Sequence, residues 1–167
     1  AEAIREVKEI PSPKKTSTGV GKRYPKYDAE NLVLGISPYV ADVKIEGMLF
    51  GALKFSEHPR AIVKNINTQK AEKLEGVVKI LTSKDVPGER YSGLIIKDWP
   101  IFVGLNEETR YVGDVIASVI AESEALARKA VELIEVEYEV LVPITNPFDA
   151  LKEDAPKIHP KGNILST

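Results

Sequence analysis

Three carboxylates that could take part in acid–base chemistry lie in the irregular segment 83–109. Asp85, Glu89 and Asp98 follow one another there at short spacing. A pair of carboxylates whose environments push their pKa values apart can act as general acid and general base. One hypothesis is therefore a small carboxylate-dependent hydrolase in which Asp98 is essential.

The same segment also carries residues typical of binding surfaces. Arg90 and Tyr91 lie within it, Trp99 follows the last of the three acids, and Arg110 comes directly after it. Arginine, tyrosine and tryptophan are enriched at the energetic centres of protein interfaces, and aromatic side chains line many pockets. Because no complete catalytic set accompanies them, the sequence favours an interface or a pocket wall over an active site.

Histidines and clustered glutamates are the remaining candidates for metal or nucleophilic chemistry. His58 and His159 have no partner at a spacing that suits a metal-ligand pair or a catalytic triad, and both are predicted to lie in surface turns. Glu135, Glu137 and Glu139 alternate with apolar residues, which predicts one solvent-facing side of a strand. With no cysteine in the chain, neither thiolate catalysis nor cysteine-ligated metal is expected.

The stretch from Gly113 to Ser123 has the order of a cofactor-binding turn but not its composition. Gly113 and Asp114 precede the apolar run 115–121, and a helical pattern follows. A dinucleotide site needs several glycines between strand and helix, so that a pyrophosphate can approach the backbone N–H groups. The connection 121–123 contains none, so the sequence predicts a turn into a core strand.

Length and charge restrict the class of protein. The chain has 167 residues, is 43% hydrophobic and carries a net charge of −2, which predicts one compact domain and disfavours nucleic acid and membranes as partners. No window reaches the roughly 18 apolar residues that a spanning helix needs, so a soluble, cytoplasmic protein is expected. Residues 1–30 are polar and locally basic, and they are predicted to form a solvated arm.

The periodicity of apolar residues predicts an α+β domain with two strand–helix–strand units. Alternating or continuous apolar runs indicate strands, whereas spacings of three and four residues indicate helices. A Ser123 cap and an Asn146–Pro147 pair mark the starts of two helices. The first unit comprises strand 61–66, helix 68–75 and strand 77–82 after an opening strand 48–55, and the second comprises strand 115–121, helix 123–134 and strand 134–140.

Several short motifs, in order along residues 20–165, resemble the start of the molybdenum-binding subunit of xanthine dehydrogenases and aldehyde oxidases. That region is called the α/β hammerhead domain. The resemblance is carried by Tyr39 and Asp42, by Lys54, Ser56, His58 and Pro59, by the element Thr82–Gly88, by R-Y-V-G at 110–113, and by E-V-E-Y-E at 135–139.

The resemblance implies a fold and a domain plan. The fold would be an α/β hammerhead, with a mixed sheet, two packed helices and a long irregular loop. The plan is a lead-in arm at 1–30, the hammerhead domain at 31–150, and a linker at 151–167 that leads toward molybdopterin-binding domains absent from this chain.

The resemblance also implies a function for a larger enzyme. Such an enzyme hydroxylates a purine, a related N-heterocycle or an aldehyde with oxygen from water, using molybdopterin in neighbouring domains, and iron–sulfur clusters and FAD in other domains or subunits. This chain would bind none of these cofactors, and no catalytic, cofactor-binding or metal-binding residue is assigned to it. Its expected contribution is a substrate-funnel or interdomain surface formed by Leu94, Ile95, Trp99 and Asp114.

Two departures from the family pattern bear on these expectations. Lys54 stands where arginine is more usual, which weakens any interface salt bridge because lysine lacks the bidentate donor. Asp114 stands where glutamine or histidine is more usual, and the run 98–103 is most similar to xanthine dehydrogenase-like bacterial members. The alternative from a different class is a free-standing α+β binding or adaptor module.

Overall fold

A computed structural model describes residues 24–164 and residue 166. The chain divides into two compact units, Ala1–Lys44 and Ile45–Thr167. In the first unit, the described residues form helix α1, Ala29–Val33, and a 3-10 turn at Val40–Asp42. Most of the predicted basic arm lies outside the described residues. None of the helices in the described part of the chain could cross a membrane.

The second compact unit, Ile45–Thr167, contains both of the predicted strand–helix–strand units. The predicted helix at 68–75 is a single turn, because the backbone tightens after Glu72 and Gly76 takes a left-handed φ of +85°. The elements are β1 (Phe50–Phe55), β2 (Ala61–Asn67), α2 (Gln69–Glu72), β3 (Val77–Leu81), β4 (Tyr91–Ser92), β5 (Trp99–Pro100), β6 (Glu108–Thr109), β7 (Val115–Ala121), α3 (Glu124–Glu132), β8 (Glu135–Val140) and α4 (Pro147–Ala150).

The strands form two three-stranded sheets and a two-stranded ribbon. The first sheet has the order β1-β7-β3, the second sheet has the order β6-β2-β8, and the ribbon pairs β4 with β5. The prediction of a mixed sheet is wrong, since every pairing in the described residues is antiparallel. The reason is that both β2–α2–β3 and β7–α3–β8 cross from one sheet to the other, so the strands that flank each helix never pair in parallel.

The main core lies where the helices meet the inner face of the first sheet. Ala52 of β1 and Ile80 of β3 both lie opposite Val119 of the central strand β7. The small side chains in this part of the sheet let α3 approach it closely. The buried members of the cluster are Ala71, Ala117, Val119, Ala130 and Ile134.

A second cluster ties the long loop to the sheets. Val63, Val103 and Ile116 are completely buried together, and the Val103 N–H donates to the Val115 carbonyl at 2.8 Å. The pairing of β1 with β7 shifts register at Ile116, so a bulge turns both Ile116 and Ala117 inward. The loop is therefore anchored to the core in the middle of its length.

Both predicted helix caps are confirmed. The Ser123 hydroxyl accepts a hydrogen bond from the Leu126 N–H at 3.3 Å, and the Asn146 side chain accepts one from the Phe148 N–H at 2.9 Å, with proline in the first turn.

The predicted alternation of β8 is wrong at one position. Val140 is 59% exposed, because the strand ends there and its register partner, Ala61, is too small to cover it.

Candidate functional site

The irregular segment forms a hairpin, residues 91–100, whose base is fixed by one half-buried ion pair. Both terminal nitrogens of Arg90 donate to the Glu107 carboxylate, at 2.9 and 2.8 Å. The Gly104 N–H donates to the same carboxylate at 2.7 Å. Partial burial raises the pKa of Glu107, but the hydrogen bonds from Arg90 and Gly104 outweigh it, so the pKa lies below its ordinary value.

The tip of this hairpin presents apolar side chains to solvent. Leu94 and Ile95 are fully exposed, at 105% and 96%, and Trp99 is 57% exposed. Trp99 makes an edge-to-face contact with Tyr111, with ring centroids 5.9 Å apart. The turn needs glycine at Gly93, since a Cβ there would lie 1.8 Å from a backbone oxygen. Three of the four residues expected on the surface are thus exposed on one hairpin.

The fourth residue, Asp114, is not on that exposed surface. It is only 2% exposed, and its carboxylate accepts hydrogen bonds from the N–H groups of Arg110, at 2.6 Å, and Tyr111, at 3.4 Å. Its own carbonyl accepts from the Ser56 N–H at 2.8 Å. Asp114 satisfies the backbone donors of its own turn, which confirms the predicted turn into β7, whereas its part in a funnel or interdomain surface stays a prediction.

The structure gives Asp85 and Glu89 separate partners. Asp85 accepts from the N–H and hydroxyl groups of Thr82, at 2.9 and 3.1 Å, and the backbone hydrogen bond is the main reason that its pKa is lowered. Glu89 forms an ion pair with Lys97 across the hairpin. Both carboxylates therefore stabilise local turns, and neither forms the pair of interacting acids that a hydrolase mechanism requires.

Asp98 lines a small pocket of about 200 Å³ together with Trp99 and Arg110. The Asp98 carboxylate lies 3.9 Å from Arg110 and 3.8 Å from His159. These distances are too long for direct hydrogen bonds. A separate cleft of about 450 Å³ is lined by residues 107–110, 143–145 and 156–158, and Arg60 in that cleft is occupied by Glu108, at 2.7 Å. The fold thus brings His159 near an acid, which its sequence position did not predict.

The other predicted candidates also have structural roles. His58 lies in a turn as predicted, but its ring is half-buried and packs edge-on against Tyr138, with centroids 5.0 Å apart. The glutamates of β8 face solvent as predicted, and each has a cross-strand or neighbouring partner. These contacts are the ion pairs Lys70–Glu135 and Lys64–Glu139 and the 3.4 Å hydrogen bond from Asn65 to Glu137.

These donors do not fit a metal centre. Within residues 24–164, no group of three histidine, aspartate or glutamate side chains is arranged to hold a metal ion, and the sequence has no cysteine.

Sequence reasoning missed Glu107, the residue that fixes the hairpin. Its signal is the spacing Gly104-x-x-Glu107, in which a carboxylate accepts the N–H of the residue three positions earlier. Thr82-x-x-Asp85 shows the same arrangement. The contact with Arg90 is not visible in the spacing, because the two residues are 17 positions apart and lie on either side of the hairpin.

Comparison with known proteins places these features in one family. Residues 34–142 match the model of the aldehyde oxidase and xanthine dehydrogenase a/b hammerhead domain. The chain is 43% identical to a probable xanthine dehydrogenase component of Bacillus subtilis, over 83% of this chain and 18% of that protein. It is 39% identical to a probable hypoxanthine oxidase of Escherichia coli O157:H7, over 84% of this chain and 15% of that protein.

A solved structure shows the same fold. The aldehyde oxidoreductase from Desulfovibrio gigas superposes with a TM-score of 0.77 at 36% identity, covering 84% of this chain and 16% of that one. The predicted hammerhead fold is confirmed by this match. The chain spans less than a fifth of the length of each of these three relatives.

Proposed function

Because the chain belongs to the family of aldehyde oxidase and xanthine dehydrogenase a/b hammerhead domains, we propose that it is a structural docking domain of a molybdenum hydroxylase large subunit. The observation that carries the proposal is the hairpin at 91–100. Its apolar tip is exposed at Leu94 and Ile95, while its base is held by Arg90 and Glu107. Exposed apolar side chains on a well-anchored element are typical of an interface.

The surface formed by Leu94, Ile95 and Trp99 is proposed to pack against the pterin-binding domains, at the entrance to the substrate channel. Trp99 is supported from the side by Tyr111, and Lys97 is held by Glu89. A pre-ordered hairpin loses little conformational entropy on docking. In this role the chain positions a channel wall and excludes water, and it transfers no proton itself.

The complete enzyme is proposed to be a cytoplasmic oxidoreductase that hydroxylates a purine, with water as the oxygen source. Support for a purine comes from two relatives named for xanthine and hypoxanthine. The molybdenum–pterin centre would supply the oxidising chemistry when bound, and iron–sulfur and flavin groups in other domains or subunits would remove the electrons. The residues that hold these groups are expected outside this chain.

The test compares the 167-residue chain with the full subunit encoded by the reading frame that contains it. Elemental analysis should find molybdenum on the full subunit assembled with its partners and none on the isolated chain. Xanthine and hypoxanthine should be hydroxylated, and isotope-labelled water should place its oxygen in the product. Stoichiometric molybdenum on the isolated chain, or a full-length product that ends near Thr167 and works as an adaptor, would contradict the proposal.

A further inference from the structure

The first sheet has an outer face that no described element of the second unit covers. Alternation along β1 places Leu53 and Phe55 on the side opposite the main core, where register pairs Leu53 with Ser118 and Phe55 with Val115. On the other side of the central strand, Leu81 also pairs with Ser118. Gly51, Ile120 and Lys79 complete this surface, which we call the outer face.

The outer face is apolar and open to solvent. Leu53 is 44% exposed and Phe55 is 47% exposed, although both lie in a regular strand with well-packed neighbours on the other side. Lys79 is its single charged side chain. Half-exposed large apolar side chains side by side on a sheet mark a surface that another protein segment covers.

The strand at the edge of this sheet carries no charge on its outer side. β1 is an edge strand, and its one charged side chain, Lys54, belongs to the opposite face by alternation. The Lys54 side chain is 14% exposed and is occupied by Glu57 at 2.9 Å. An inward-pointing charge protects an edge strand against pairing with another chain, so a partner is expected to cover the outer face and not to extend the sheet.

The identity of the partner follows from the charge of the outer face and from the length of the related proteins. A face with one charge is complementary to an apolar surface and not to a strongly charged one. More than four fifths of the length of the two related proteins from Bacillus subtilis and Escherichia coli O157:H7 lies outside the region that this chain matches. A covalently attached neighbour of that size is present at high effective concentration, which makes it the occupant most consistent with both facts.

We propose that the outer face docks an apolar surface of the pterin-binding part of the same large subunit. The inference rests on the proposed function and adds a second, separate contact to the hairpin. It assigns Leu53 and Phe55 as the side chains that the remainder of the subunit buries.

Hydrogen exchange on the wild-type full subunit tests the proposal directly. Backbone amides of residues 51–55 should exchange about tenfold or more slowly in the full subunit than in the isolated chain, whether or not the iron–sulfur and flavin partners are present. Equal exchange in both would overturn it. Protection that appears only when those partners are added, or that rises with the concentration of the isolated chain, would overturn it in favour of another subunit or a second copy.

Two variants, one on the outer face and one control, distinguish a loss of docking from a loss of folding. Leu53→Lys with Phe55→Lys should lower the yield of assembled, molybdenum-containing subunit at least about tenfold, and the isolated chain with the same changes should keep its circular dichroism spectrum. Val140→Lys places one lysine at an exposed apolar position of the second sheet and should assemble normally, whereas each single variant of the outer face should not. Normal assembly of the double variant would contradict the inference, whereas an inactive wild-type subunit would contradict the proposed function instead.

Discussion

The two three-stranded sheets expose different chemistry on their outer faces. On the first sheet, Leu53 and Phe55 stand half-exposed with one lysine nearby. On the second sheet, β8 turns three glutamates to solvent and each has a polar or cationic partner. Both sheets bury their inner faces in the same core, so burial alone does not distinguish them. The difference teaches that the second sheet is adapted to water and the first to another protein surface.

Truncation of a core residue should have the largest effect on stability. Its comparison with truncation of an outer-face residue distinguishes the inner from the outer side of the first sheet. Ile116 is completely buried with Val63 and Val103, so Ile116→Ala should lower the free energy of unfolding by about 2–5 kcal/mol. Leu53→Ala should lower it far less in the isolated chain, because solvent already reaches that side chain. Urea unfolding of both variants measures the contrast. Equal losses would show that the outer face belongs to the core of the isolated domain.

Removal of the half-buried carboxylate at the base of the hairpin should have an intermediate effect. Glu107→Gln weakens a bidentate contact with Arg90 and should lower the free energy of unfolding by about 1.5–3 kcal/mol at neutral pH. Because the folded-state pKa of Glu107 is lowered, its stabilisation is present above the ordinary glutamate pKa of about 4.3 and is lost as the pH falls through the folded value. The stability of the wild type should therefore fall more steeply in acid than that of the variant.

The matched control for this carboxylate is Glu137→Gln on the exposed face of β8. Its partner is the neutral Asn65 at 3.4 Å, so the change should lower the free energy of unfolding at neutral pH far less than Glu107→Gln does. If the two variants lost the same stability, the half-buried pair would have no special role in holding the hairpin.

Removal of a single charge from the second sheet should have the smallest effect on the free energy of unfolding. Lys64 and Glu139 are 2.6 Å apart but both are about half exposed, so Lys64→Ala should cost about 0.2–1 kcal/mol. High salt should reduce this difference, because screening weakens exposed pairs. Unfolding midpoints of wild type and variant at low and high salt provide the measurement. A large, salt-independent loss would mean that the outer face of the second sheet is not simply a solvated surface.

Much of the fold could be predicted because its signals are local. The apolar run of β7, the spacing of α3 and the caps at Ser123 and Asn146 each depend on residues within a few positions of one another. The candidate site was less accessible to prediction. The turn at Asp114 was predicted but the burial of its side chain was not, and Glu107 drew no attention because its partner, Arg90, is 17 positions away.

The sequence by itself determined the main strands β1, β2, β3, β7 and β8 and the helix α3, because periodicity and capping are short-range properties of the chain. It also carried the ordered motifs that place the chain in its family. Only the tertiary structure decided that α2 and α3 each join strands of different sheets, that a bulge turns Ile116 and Ala117 inward together, and that one outer face is left apolar. Those outcomes depend on pairing between distant segments, and the free energy of pairing is set by the whole packed arrangement and not by any local pattern.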